Sequence, residues 1–134
     1  MKRQMNYGTV CSGIGAPEVA FDGLGWHGVF CSEIAAFPSA VLKYHFPNVP
    51  NFGDFTTITR EKIEIEGRWP ESGGAEQGPN GGRPALHVLV GGTPCQSFSL
   101  AGLRGGLGAE NGNLALEFVR LLARLRPTWF IWEN

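Results

Sequence analysis

The chain has 134 residues, 43% of them hydrophobic and 17% charged, and its 11 lysines and arginines against 12 aspartates and glutamates leave a net charge of −1. That length holds one α/β core but not two, and the composition is that of an ordinary folded, water-soluble domain. No apolar run is long enough to cross a bilayer and the amino terminus carries no signal-peptide pattern, so a cytoplasmic protein with no membrane association is expected.

Asn6 to Cys11 reads as a first strand, with the β-formers Tyr7, Thr9 and Val10 running into a Ser-Gly-x-Gly turn. Pro17 suits the first turn of a helix that Gly23 and Gly25 then end. Trp26 to Cys31 reads as a second strand, and Pro38 opens a second helix that Pro47 stops. Residues 49 to 54 form a third, short strand in this reading, and Thr59 to Glu66 is open between helix and strand. Residues 71 to 84 are rich in Gly, Pro and polar side chains and read as a flexible insertion. The apolar run Ala85 to Val90 has the character of a buried parallel strand. Ala101 to Gly112 is glycine-dense, Leu114 to Leu125 has apolar residues at helical spacing, and Pro127 separates it from a last strand, Thr128 to Trp132. The alternation β-α-β-α is the start of a doubly wound, mostly parallel sheet.

Gly91 and Gly92 end the strand before Cys95, which places that cysteine at the sheet's carboxyl edge, where open α/β sheets hold ligands. Pro94 stiffens the backbone beside it. From the residues alone, Cys95 is as readily an inert buried hydrophobe as a nucleophile. Cys11, Cys31 and Cys95 show no metal-ligand spacing and no even-numbered disulfide framework, so reduced thiols and no metal are expected. The turn after the first strand is not the full dinucleotide pattern, because Glu18 stands at the third glycine position of G-x-G-x-x-G. Glu33, about 20 residues past the turn, is placed to hold ribose hydroxyls or to cap a helix.

Several segments, taken in order, resemble DNA cytosine-5 methyltransferases. Gly91-Gly92-Thr93-Pro94-Cys95-Gln96-Ser97-Phe98-Ser99 is similar to that family's catalytic Pro-Cys-Gln loop, and Cys11-Ser12-Gly13-Ile14-Gly15 to its cofactor turn. Ser32-Glu33-Ile34, Phe52-Gly53-Asp54 and Trp132-Glu133-Asn134 resemble three further motifs. The resemblance implies a Rossmann-like methyltransferase fold that takes S-adenosylmethionine as cofactor and double-stranded DNA as substrate. It further implies that Cys95, flanked by Pro94 and Gln96, adds to carbon 6 of a flipped-out cytosine. Glu133 would be the acid near ring nitrogen 3, its pKa raised by burial, and Asn134 would position the loops. Glu33 would hold the ribose, Ile34 would pack on the adenine, and Asp54 would accept from the adenine amino group. Cys11, Gly13, Ile14, Gly15 and Leu114 would complete the cofactor site. Ser97 and Ser99 would contact DNA, and Gly102 to Gly112 would close over it.

Two departures from the family's pattern are visible. Cys11 stands where the family usually carries a phenylalanine against the adenine, and Glu110-Asn111-Gly112 lacks the usual arginine. The near-neutral charge puts most of any grip on DNA elsewhere, since neutralising phosphates supplies most such affinity, and Arg104, Arg120, Arg124 and Arg126 read as a solvated helix face. The later arginine motif, the target-recognition region and the last helix of the family have no counterpart in these residues, so the sheet is expected to be incomplete at its carboxyl end. The expectation is therefore the amino-terminal part of a restriction-modification type of methyltransferase, inactive by itself. The alternatives are a truncated remnant, or one piece of a split enzyme that needs a carboxyl-terminal partner chain, with self-association of the exposed sheet possible in either case. A cysteine hydrolase would need His27, His45 or His87 as its base, and His87 lies within the strand rather than facing Cys95.

Overall fold

A computed structural model describes residues 4–70, 86–94 and 110–134, with side chains from 114 onward in the last segment. The element order is β1 (Asn6–Val10), α1 (Ala16–Asp22), β2 (His27–Phe30), α2 (Ala36–His45), one 3-10 turn (Phe55–Thr57), α3 (Arg60–Glu66), β3 (Val88–Gly91), α4 (Glu110–Leu125) and β4 (Trp129–Trp132). The four strands form one sheet in the order β2-β1-β3-β4, and every pairing is parallel. β1 is thus the interior strand from which the chain first grows outward to β2, then returns to the other side as β3. That reversal is the point at which doubly wound sheets open a crevice at their carboxyl ends.

Side chains alternate across the sheet and divide β1 between two faces. Tyr7 and Thr9 meet α1: the Tyr7 and Phe21 rings lie 4.9 Å apart at 61°, and the Thr9 hydroxyl is bonded to Glu18. Gly8 and Val10 turn to the opposite face, where Phe30, Leu89, Phe118, Leu121 and Leu125 make a continuous core with Phe55, Ile58 and Ile63. Phe118, Leu121 and Leu125 are spaced at i, i+3 and i+7, so α4 buries one stripe and leaves Val119 outside. Gly91 is required by this packing, because a Cβ there would sit 2.4 Å from Cε2 of Phe118. Arg124, on the last turn of α4, donates from Nε to the Ile58 carbonyl at 3.2 Å and so ties α4 to the segment after β2.

Several expectations are corrected by the packing. Residues 49–54 do not form a strand: one parallel bridge, Cys31 to Asn51, is all that forms. The Asn51 carboxamide oxygen accepts from the backbone N–H groups of Glu33 and Gly53, and Gly53 adopts φ +70°, which turns the chain away from the sheet. Thr59 to Glu66 resolves as helix, opened by Thr59, whose hydroxyl accepts from Lys62 N–H at 3.1 Å. α2 begins at Ala36, with Pro38 inside its first turn where a missing N–H costs nothing. β3 is shifted to Val88–Gly91 rather than starting at Ala85. Residues 110–112 belong to α4 rather than to a closing loop, the amphipathic remainder outweighing the poor propensity of Gly112. The proposed insertion at 71–84 and the loop at 102–109 lie outside the described residues.

β4 is the edge of the described sheet, and Trp129, Phe130, Ile131 and Trp132 are 43–66% exposed. No helix among the described residues is long and apolar enough to cross a membrane.

The close approach of α4 to β3 sets a measurable stability. Gly91→Ala is expected to cost about 1–3 kcal/mol through the clash with Phe118, and Leu121→Ala about 2–5 kcal/mol. Gly23→Ala, whose Cβ would meet nothing nearer than 3.7 Å, is expected to change stability by under about 0.5 kcal/mol. Urea denaturation followed by circular dichroism reads all three, and equal midpoints for Gly91→Ala and Gly23→Ala would refute the packing described.

Candidate active site

A cavity of about 300 Å³ opens at the carboxyl edge of the sheet, at the point where the strand order reverses. The end of β1 contributes Cys11; the end of β2 contributes Ser32, Glu33 and Ile34. Gly53, Asp54 and Phe55 form a further wall, and Gly92, Pro94 and Leu114 close the side toward β3 and α4. Among the described residues, two carboxylates and no lysine or arginine line it.

The turn after β1 is built by left-handed backbone at three positions: Cys11 (φ +50°), Gly13 (+57°) and Gly15 (+94°). A side chain at Gly15 would be strained and would meet Phe46 at 2.9 Å, so glycine there lets α1 start against α2. Cys11 has no such freedom, and a non-glycine residue held left-handed at a ligand cavity is backbone strain stored at the site. Glu33 ties the turn to the next helix: one carboxylate oxygen accepts from Gly13 N–H at 2.8 Å and the other from Ala35 N–H, at the start of α2, at 2.9 Å. Both bonds are structural ties, and α2 has no side-chain bond at its N-cap. Asp54 accepts from both the backbone and the hydroxyl of Thr56, at 2.9 and 2.8 Å, and both bonds fall on Oδ1. Of the other residues expected at a cofactor, Leu114 lines the cavity, and Ile34 lines it while remaining 79% exposed. Gly13, Ile14 and Gly15 belong to the turn and do not line the cavity themselves; Ile14 points to solvent.

The edge next to β3 carries the remaining expected residues. The ladders extend past the strands: Gly92 N–H donates to Val10 O at 3.4 Å and Glu133 N–H to Gly91 O at 2.9 Å. The Glu133 carboxylate comes to 3.7 Å from where a Cβ on Gly92 would be, above the exit of β3. It is exposed, as is Asn134, so the burial expected around Glu133 is not provided by the described residues. Trp132 donates from its indole nitrogen to the hydroxyl of buried Thr93 at 2.8 Å, fixing the backbone one residue before Pro94. Pro94 is described and exposed; Cys95, Gln96, Ser97 and Ser99 lie outside the described residues.

The two described cysteines are free thiols unsuited to nucleophilic work. Burial, reinforced by the Glu33 and Asp54 carboxylates, pushes Cys11 up to about 11. Burial, with a contribution from Glu18, pushes Cys31 up to about 12. Both are protonated near neutrality, and thiolate is the reactive form. His87 lies before β3, at the amino end of the sheet, where its Nδ1 accepts from Asn6 N–H at 2.9 Å. His27 is likewise at an amino end, bonded to the Arg68 carbonyl, and neither faces the carboxyl edge. Among the described residues no cluster of three or more His, Cys, Asp or Glu is placed to hold a metal.

Three features of the site go unread in the sequence. Phe55 lines the cavity as an apolar residue directly after Asp54. The Trp132–Thr93 bond joins residues 39 apart. Glu18, on α1, is wholly buried, although the neighbouring Val19 is 65% exposed. The available signal was its spacing three residues before Phe21, which puts the two on one helix face.

The chain is similar throughout to known methyltransferases. A family model described as C-5 cytosine-specific DNA methylase matches residues 5–134. A DNA N-6-adenine-methyltransferase of Escherichia phage P1 is 40% identical over 98% of this chain, which is 17% of that protein. The orphan methyltransferase M.SPRI of Bacillus phage SPR is 35% identical over 92% of this chain and 24% of its own length. The type II methyltransferase M.AquIA of Picosynechococcus is 33% identical over 92% of this chain and 45% of its own. The chain thus spans less than half the length of each of these relatives. A solved structure described as a DNA modification methyltransferase encoded within an E. coli prophage superposes with a TM-score of 0.69 at 20% identity. That match covers 96% of this chain and 31% of the other, and it shows a shared methyltransferase fold. With a family model matched from residue 5 to residue 134, the chain belongs to the C-5 cytosine-specific DNA methylases.

Proposed function

We propose that this chain is the cofactor-binding and nucleophile-bearing part of an enzyme that methylates carbon 5 of cytosine in double-stranded DNA, with S-adenosylmethionine as donor. The observation that carries this reading is the cavity at the strand-order reversal, lined among the described residues by Glu33 and Asp54 without a basic residue and bordered by Pro94, which directly precedes Cys95. A dinucleotide would bring a pyrophosphate into that acidic lining, which Coulomb repulsion disfavours, whereas the same lining suits a nucleoside carrying a sulfonium. Both Glu33 oxygens keep a lone pair beyond their backbone bonds for ribose hydroxyls. Asp54 keeps Oδ2 for the adenine amino group, and Phe55, Ile34 and Leu114 supply apolar contact. The cofactor, when bound, provides an activated methyl group.

The name of the phage P1 relative raises N-6 of adenine as an alternative target. That exocyclic amine is a nucleophile by itself and has no need of a thiol. Carbon 5 of cytosine is not, and the Pro94-Cys95-Gln96 segment supplies what it lacks: Cys95 adds to carbon 6 and converts the ring to an enamine. Glu133, standing over Gly92, is the group to protonate ring nitrogen 3, once a closing surface desolvates it enough to hold a proton near neutrality. Ser97 and Ser99 contact the DNA backbone, and the flipped base enters from the Pro94 side. A second reading, a split or remnant form that needs a carboxyl-terminal partner chain, is favoured by the exposed apolar residues of β4, since an open strand edge invites a further strand or a second copy of the chain.

Two measurements test this proposal. Calorimetry with S-adenosylmethionine or its demethylated product is expected to show weak binding that Glu33→Ala lowers by roughly tenfold, the loss of one buried polar contact. No heat at millimolar ligand, identical for the variant, would remove the cofactor assignment. In the second, the chain is combined with a target-recognition region and given DNA containing 5-fluorocytosine, whose fluorine cannot leave as a cation. A denaturant-resistant protein–DNA adduct is expected only with S-adenosylmethionine present. Cys95→Ser abolishes it, because a serine hydroxyl is scarcely ionised near neutrality, and Glu133→Gln reduces it strongly. An adduct that survives Cys95→Ser would overturn the mechanism.

A further inference from the structure

Beneath the glycine turn runs a buried chain of side chains that the chemistry above does not use. Thr9, Ser12, Glu18 and Ser32 are all at most 6% exposed. Ser32 N–H donates to Ser12 Oγ at 3.1 Å, and Ser12 Oγ–H donates to the Ser32 carbonyl at 3.2 Å. Thr9 Oγ1 and Ser12 Oγ are 2.7 Å apart, with either able to donate, and Thr9 Oγ1 is also bonded to Glu18 Oε1. At the far end the Ser32 hydroxyl donates to the Gly53 carbonyl at 2.6 Å. The chain therefore crosses from α1 through the ends of β1 and β2 to the loop that carries Asp54, and Ser32 and Gly53 themselves line the cavity.

The Thr9 hydroxyl donates to Glu18 Oε1, and the Ser12 hydroxyl has Thr9 and the Ser32 carbonyl within reach, a carbonyl that also accepts from Ser12 N–H. An ionised Glu18 would have the Thr9 hydrogen on Oε1 and no cation among the described groups that bear on it. It would also leave a buried charge with Oε2 unbonded, 3.5 Å from where a side chain on Gly15 would start. We propose that Glu18 is a positioning residue of the cavity: a buried, protonated carboxylic acid that anchors the Thr9–Ser12–Ser32–Gly53 chain through Thr9 and so holds the turn of Cys11 to Gly15 in register with the walls formed by Ser32 and Gly53.

The surroundings agree with this state. Burial raises the Glu18 carboxyl above the usual range, and the Thr9 hydroxyl and its own backbone N–H only partly offset that. The titratable groups that feel it are Tyr7 on β1, which also feels Asp22 and Arg68, and Cys31 at the end of β2; both are raised and neutral near pH 7. The role goes beyond the proposed cofactor contacts and rests on that reading only for its consequence at the ligand.

The test compares Glu18→Gln, Glu18→Ala and Ser12→Ala. In infrared spectra of the ligand-free chain, a protonated carboxylic acid band is expected that disappears in Glu18→Gln; absence of that band in the wild type would overturn the proposal. Amide hydrogen exchange over residues 12–15 and 32–33 is expected to quicken in Glu18→Ala and Ser12→Ala and to remain as wild type in Glu18→Gln, whose amide oxygen accepts from Thr9 as the neutral acid does. Exchange as fast in Glu18→Gln as in Glu18→Ala would also overturn it. A carboxyl raised in the folded state binds its proton where the unfolded chain has lost it, so the wild type should lose stability relative to Glu18→Gln as pH rises above about 4.3. A relative gain with pH would show an ionised Glu18. S-adenosylmethionine affinity is expected to fall roughly tenfold in Ser12→Ala and to hold in Glu18→Gln. If the band and the exchange behave as described while no chain binds the nucleoside, the cofactor reading fails and the positioning role stands.

Discussion

Because β1 is hydrogen-bonded along both edges, to β2 on one side and β3 on the other, the chain cannot extend the sheet in one direction only. The connections after β1 and β3 leave on opposite sides, and the space between them cannot be filled by either. Cys11, Glu33, Asp54, Gly92 and Pro94 come from four separate segments, and each reaches the cavity because its own strand or crossover ends at that edge. Single features of the site are ordinary: a glycine turn, an acid after a strand, a capping aspartate. What makes them one site is the reversal of strand order beside β1.

The charge distribution follows the same logic. Two carboxylates share a cavity without a cation among its described lining residues, and they remain tolerable there because backbone N–H groups bond to each of them. Cys11, caught beside them, is held as a thiol, so the cavity's own cysteine is chemically quiet. The same acidic character, with 11 basic against 12 acidic residues overall, leaves the chain poorly equipped to hold a polyanion by itself.

Close approach replaces bulk in the packing around the site. Gly8 and Gly91 let the Phe30 and Phe118 rings lie directly on the sheet, and Gly15 lets α1 begin against Leu42 of α2 and Phe46 just after it. These contacts hold the carboxyl ends of β1 and β3 at a fixed separation, to which the Trp132–Thr93 bond adds a tie from β4. Rigidity at the exit of β3 matters because Pro94 leads directly into the segment that carries Cys95.

The sequence by itself determined the alternation of strands and helices, because apolar periodicity and the Pro and Gly punctuation are local properties. It also marked the glycine turn after β1, because that spacing is local too. It could not decide whether 49–54 would pair as a strand, since that turned on the Asn51 side chain bonding to Glu33 and Gly53. Nor could it show that both Glu33 oxygens take backbone partners on different segments, which requires the turn after β1 to meet the approach to α2. Glu18 is the clearest case. Its place at a third-glycine position marks only a departure from a dinucleotide pattern, while its burial and its partners across β1 and β2 exist only once α1 has docked on the sheet. Polar networks of this kind join residues far apart in the chain, such as Ser12 and Ser32, 20 positions apart. The energy of leaving them unpaired appears only when water has been excluded, which is a property of the packed fold and not of any segment.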